Sequence, residues 1–181
     1  MCMNRDEARE ILESMTKSES LLRHSKSVEL VMEEYADYFG ENKEEWAICG
    51  MLHDADYELY PSEHPNKIVT LLRERGAEKI AYAISAHYSK WNNPPTNLLD
   101  KALLACDELT GFIIACSKVR PDGIVGLTVK SVLKKLKNPK FAAKVERDEI
   151  KLGVELIDIQ EDKHIAFIIE ALQKHKEILN I

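Results

Sequence analysis

Apolar residues recur at intervals of three and four along almost the whole chain, and no stretch alternates convincingly between apolar and polar. That spacing stacks side chains on one face of a helix. It therefore predicts an all-α fold. Cap and turn residues divide the pattern into segments. Asn4 heads a helix running to about residue 17, and Ser18 or Ser20 heads a second that Gly40 ends. Asn42 heads a short third helix carrying Trp46, Ile48, Met51 and Leu52. Ser62 heads a fourth, with Pro65 in its first turn and Gly76 beyond its end. Further helices are expected over about 77–89, 98–117, 128–137, 147–157 and 160–179, separated by turns at Pro94-Pro95, Pro121-Asp122-Gly123 and Asn138-Pro139. The sum is a bundle of about eight or nine helices. With 181 residues and no repeat or linker, a single domain over 1–181 is expected.

Composition narrows the function classes. No apolar run approaches the roughly 18 residues that a membrane span needs. The N-terminal segment turns acidic at Asp6-Glu7 and has no apolar signal core, so a cytoplasmic location is expected. Cys2, Cys49, Cys106 and Cys116 show no CxxC spacing and read as reduced core thiols. A net charge of −6 argues against general nucleic-acid binding, yet its distribution is uneven. Residues 118–144 hold eight Lys/Arg and one acid, leaving −13 on the remainder. This basic segment is either a solvated face or a local steering patch for an anionic ligand.

Polar residues interrupt the apolar rows at particular places. His24 lies three after Leu21 and four before Val28, on the inward face of its helix. His87 continues the row of Ile80, Ala83 and Ile84. Asp107 lies four after Leu103 and three after Leu104, and a carboxylate in such a stripe is rarely buried without a partner. His53 and Asp54 stand side by side at the end of the apolar run Cys49-Gly50-Met51-Leu52. Taken singly, each has a plain reading: an inward His is a hydrogen-bonded core residue, and Asp107 pairs with Arg23 or a lysine. His64, in the first turn of its helix, needs no special reason. Together they make a set of the size and chemistry a divalent metal requires. His164 and His175, on the charged last helix, read as surface residues.

The order His24, His53-Asp54, Asp107 resembles the signature of the HD-domain superfamily of metal-dependent phosphohydrolases. The flanks agree in Leu22-Arg23-His24-Ser25, Gly50-Met51-Leu52-His53-Asp54 and Ala105-Cys106-Asp107-Glu108-Leu109, and the likeness covers about 18–117. Residues 118–181 then form a C-terminal helical extension. His64 in Ser62-Glu63-His64-Pro65 and His87 in Ser85-Ala86-His87-Tyr88 match the HDIG-like, binuclear members. The resemblance implies an all-α bundle in which His24, His53, Asp54 and Asp107 hold one metal. It also implies that Asp54 bridges to a second metal held by His64 and His87. The chain departs from many relatives by reading His53-Asp54-Ala55-Asp56-Tyr57, so a Lys that contacts phosphate elsewhere is Tyr57 here.

The implied activity is hydrolysis of a phosphate ester or anhydride, in a nucleotide or related small phosphorylated metabolite, by metal-activated water, with Asp54 catalytic. One or two divalent ions are expected: Fe, Mn, Co, Ni or Zn, with Mg also admitted. Arg23, Arg120, Lys130 and Lys134 are the candidate phosphate contacts. Two other readings share the ligand set: an HD-type di-iron oxygenase, and a regulatory or binding module that keeps the metal as structure. The expected partner is the small phosphorylated substrate, with no membrane or general nucleic acid. A homodimer is left open.

Overall fold

A computed structural model describes residues 3–181, with no strand among them. In chain order the elements are α1 (Arg5–Met15), α2 (Glu19–Phe39), α3 (Lys43–Leu52), α4 (Asn66–Glu74), α5 (Glu78–Ser85), a 3₁₀ turn (Ser89–Trp91), α6 (Leu98–Lys118), α7 (Val129–Leu136), α8 (Arg147–Ile157), α9 (Glu161–Lys174) and α10 (Lys176–Leu179). Caps set the starts that the sequence predicts. Asn4 accepts the Glu7 amide at 3.0 Å while Glu7 accepts the Asn4 amide at 3.1 Å, and Asn97 forms the same reciprocal pair with Asp100. Asn42 accepts the Glu45 amide at 2.9 Å.

The buried apolar residues form one cluster running from Ala8 to Leu179. The two longest helices, α2 and α6, pack on each other at its centre, with α3 along α2 and α8 along α6. Two glycines permit those close approaches. A Cβ on Gly50 would lie 2.8 Å from the Val28 carbonyl oxygen, and one on Gly153 would lie 2.5 Å from the Ala105 Cα. Any side chain at Gly50 would push α3 off α2, and with it the His53 end of α3 away from His24. None of the described helices is long and apolar enough to cross a membrane.

Boundaries differ from the sequence reading at three places, each with a local cause. The fourth helix starts at Asn66, not Ser62, so His64 stands in the turn before it. Its first amides are satisfied from a distance, since Asp56 Oδ2 accepts the Lys67 and Ile68 amides at 3.0 Å each. The fifth helix stops at Ser85, where the His87 ring takes over the Ile84 carbonyl at 2.5 Å. The last expected helix breaks at His175 into α9 and α10, giving ten α-helices among the described residues.

His164 and His175 are not the free surface residues expected. His164 is fully buried, with its Nδ1 2.5 Å from the Tyr35 hydroxyl and its Nε2 3.0 Å from the Ala105 carbonyl. It lies four before Ile168 and eight before Leu172, on the buried row of α9, a register masked by the charged run Glu161-Asp162-Lys163. His175 is partly buried and meets Glu34 at 2.9 Å. Cys49, Cys106 and Cys116 are free and buried, as expected, and Cys2 lies outside the described residues.

Candidate metal centre

His24 projects from the first half of α2 and Asp107 from the middle of α6, so the packing of these helices brings them together. The His24 Nε2 lies 2.9 Å from Asp107 Oδ1. His53 caps α3 and aims its Nε2 at the same point, 3.2 Å from both His24 Nε2 and Asp107 Oδ1. Asp54 closes the group, with Oδ2 3.5 Å from His53 Nε2 and 3.9 Å from His24 Nε2. Its other oxygen faces away. Asp54 Oδ1 lies 3.3 Å from His64 Nε2 and 3.7 Å from His87 Nε2. One carboxylate thus presents one oxygen to each of two groups, His24/His53/Asp107 and His64/His87.

The spacing and chemistry of these atoms fit divalent ions. Ligands about 2.1 Å from a common centre are ~3.0 Å apart at right angles and ~3.4 Å apart at the tetrahedral angle. Imidazole nitrogen with carboxylate oxygen suits Zn, Fe, Mn, Co and Ni. The tautomers agree as well. His53 Nδ1 donates to the Gly50 carbonyl at 2.8 Å and His87 Nδ1 to that of Ile84, so in each ring Nε2 is left to bind. His64 Nδ1 meets Asp56 Oδ1 at 2.6 Å. Asp56 is fully buried and also holds the start of α4, so it fixes His64 against a helix end. In the sequence Asp56 stands out only as a departure from relatives, with no role attached.

The electrostatics favour a cation. Burial opposes charge on His53, but the Asp54 and Asp107 carboxylates outweigh it and push its pKa up to about 10. Burial also opposes charge on Asp54 and Asp107. For Asp54 the nearby His53 and His87 outweigh it, for Asp107 His53 and His24, and both carboxyls sit well below their usual range. A proton on His53 and a divalent ion answer the same pair of carboxylates and compete for this place. Glu108, beside Asp107, is pushed up to about 7 by burial and then by the Asp107 charge.

This geometry sits within a recognisable stretch of chain. The family model for the HD domain matches residues 21–111, half of the sequence, which runs from the start of α2 through Asp107. The chain belongs to the HD-domain family. Its His-Asp pair is His53-Asp54, at the point where the two ligand groups meet. The family is one of metal-dependent hydrolases, and the clustered side chains point to divalent-metal binding. No curated protein and no solved structure matches the chain significantly.

The HD centre opens into a cleft of about 530 Å³. Aromatic rings wall one side. Trp91 stands edge-on to His64 and His87, with ring centres 5.3 and 5.0 Å apart, and Tyr57 stands 5.4 Å from His64. Tyr57 thus supplies an aromatic surface at the cleft. None of the four basic residues singled out in the sequence lines this cleft. Arg23 is one residue from His24 and so turned about 100° from it around α2. Arg120 forks onto Asp122 at 2.9 and 3.0 Å. Lys130 and Lys134 lie two residues either side of buried Val132, on the exposed face of α7. The lysine that does line the cleft is Lys144.

Proposed function

We propose that this HD-domain protein is a metal-dependent phosphohydrolase acting on a nucleotide or related small phosphorylated metabolite. The reading is carried by Asp54, whose two carboxylate oxygens face two separate groups of ligand atoms. Two divalent ions held there would supply Lewis acidity and make hydroxide available near neutral pH, a role suited to in-line displacement at phosphorus. The chain's own part is orientation. Asp54 holds the two groups in register. Gly50 and Ile84 fix the rings of His53 and His87 through their carbonyls, and Asp56 fixes His64. Trp91 and Tyr57 set ring edges against His64 on one flank. The cleft lining includes no Ser, Thr or Cys, so no aliphatic hydroxyl or thiol nucleophile competes with activated water there.

Metal analysis of purified protein, followed by a panel of nucleotides and phosphate esters with the metal found, tests this reading. The expected outcome is phosphate release that Asp54→Ala abolishes while circular dichroism stays helical. Oxygen consumption with an iron-loaded protein, or no turnover across the panel at full metal content, would sink it.

A further inference from the structure

Residues 137–146 lie in the region beyond the HD-domain match, and the last three of them, Lys144, Val145 and Glu146, line the cleft. They contain no α-helix, yet they are held closely by Arg147 at the start of α8. Its Nε donates to the Leu136 carbonyl at 3.0 Å. Its two terminal nitrogens donate to Asn138 and Phe141 at 3.0 and 2.6 Å and to Ala142 and Val145 at 3.4 and 3.2 Å. The guanidinium also lies 5.4 Å from the Phe112 ring on α6. One planar, permanently charged side chain thus ties the Leu136 carbonyl at the end of α7 and four carbonyls of the segment to the helix that carries Asp107. Ala142 sits at φ 45°, a conformation that a non-glycine residue adopts at a cost and that its surroundings must enforce. The Glu146 amide donates to Glu108 at 3.2 Å, while the Glu146 carboxylate takes Tyr88 at 3.1 Å and Lys90 at 2.9 Å.

The charges in the cleft single out one residue. Asp54, Asp107, Glu108 and Glu146 contribute carboxylates, and Lys144 is the one Lys or Arg among the lining residues. The rim ion pair uses Lys90 on Glu146, not Lys144, whose side chain is exposed. An anion entering here meets four acids, so a cation supplied by the chain beside the metal site would favour its entry.

We propose that the segment 137–146 is a substrate-binding strap, with Lys144 contacting the phosphoryl group of the substrate and Arg147 the positioning residue that holds Lys144 over the HD centre. This rests on the phosphohydrolase reading and locates its phosphate contact in the C-terminal region. Lys144 is the last residue of the basic segment 118–144, so part of that charge faces the site.

Inorganic phosphate is the probe, titrated calorimetrically into metal-loaded protein. Lys144→Ala should weaken phosphate binding about tenfold, the lower end for a hydrogen bond to a charged group, and leave metal content unchanged. Lys144→Arg should keep most of the affinity. Arg147→Met should weaken phosphate as Lys144→Ala does, and the double variant should lose little more. Wild-type affinity in Lys144→Ala would overturn the contact, and fully additive losses would overturn the positioning role of Arg147. A fully metallated wild type that neither binds phosphate nor turns over any phosphate ester would instead overturn the phosphohydrolase reading beneath.

Discussion

His24 and Asp107 project from the interiors of α2 and α6, whereas His64 and His87 stand in turns just outside α4 and α5. The first pair is placed by the packing of two long helices, and His53 joins it from the end of a helix locked onto α2 by Gly50. The second pair is placed by single hydrogen bonds, Asp56 to His64 and the Ile84 carbonyl to His87. A rigid group and a tethered group should bind their ions with different tenacity. Asp54, in the turn between, is shared by both.

The largest effect tests the sharing. Asp54→Ala should empty both groups and lower turnover by about a thousandfold or more, measured by metal analysis and phosphate release. If one full equivalent of metal survives, the two groups are not joined through Asp54. His64→Ala should lower the affinity of the second ion by about a hundredfold while the first stays bound. Loss of both ions together would erase the distinction between the groups. Asp56→Asn is finer still, since it keeps the shape but removes the charge beside His64 Nδ1. It should weaken the second ion about tenfold and leave the first untouched, read by competitive metal titration.

Acidity sharpens the same contrast from the other side. The pKa of His53 is pushed up to about 10, so below that value the metal-free ring holds a proton that must leave when an ion binds. Affinity at the His24/His53/Asp107 group should therefore fall about tenfold for each pH unit lowered below 10, and level off above it. A flat titration between pH 9 and 7 would show that no such proton is displaced.

The legibility of the site follows the same division. His24 and Asp107 interrupt rows of helical spacing, so their inward direction could be read from Leu21, Val28, Leu103 and Leu104 alone. His64 stands out only by its likeness to binuclear relatives, since its turn carries no periodicity. His87 also continues the row of Ile80, Ala83 and Ile84, although the helix that carries that row stops at Ser85, before reaching it. Asp56 escaped because its partners at 64, 67 and 68 are joined to it by a turn whose path local sequence does not dictate. Lys144 escaped for a stronger version of that reason: what brings it to the cleft is Arg147 gathering carbonyls, and carbonyls have no sequence signature. His164 was misplaced because three charged neighbours hid its buried register. The helices themselves were clear wherever a cap residue and an apolar row coincided, as at Asn4, Asn42 and Asn97.

Anomalous diffraction from metal-loaded crystals tests the two-ion centre most directly. Two peaks about 3.5–4 Å apart are predicted, one among His24, His53 and Asp107, the other beside His64 and His87, with an Asp54 oxygen on each. A single peak at full loading, or two peaks with Asp54 bound to only one of them, would contradict the account.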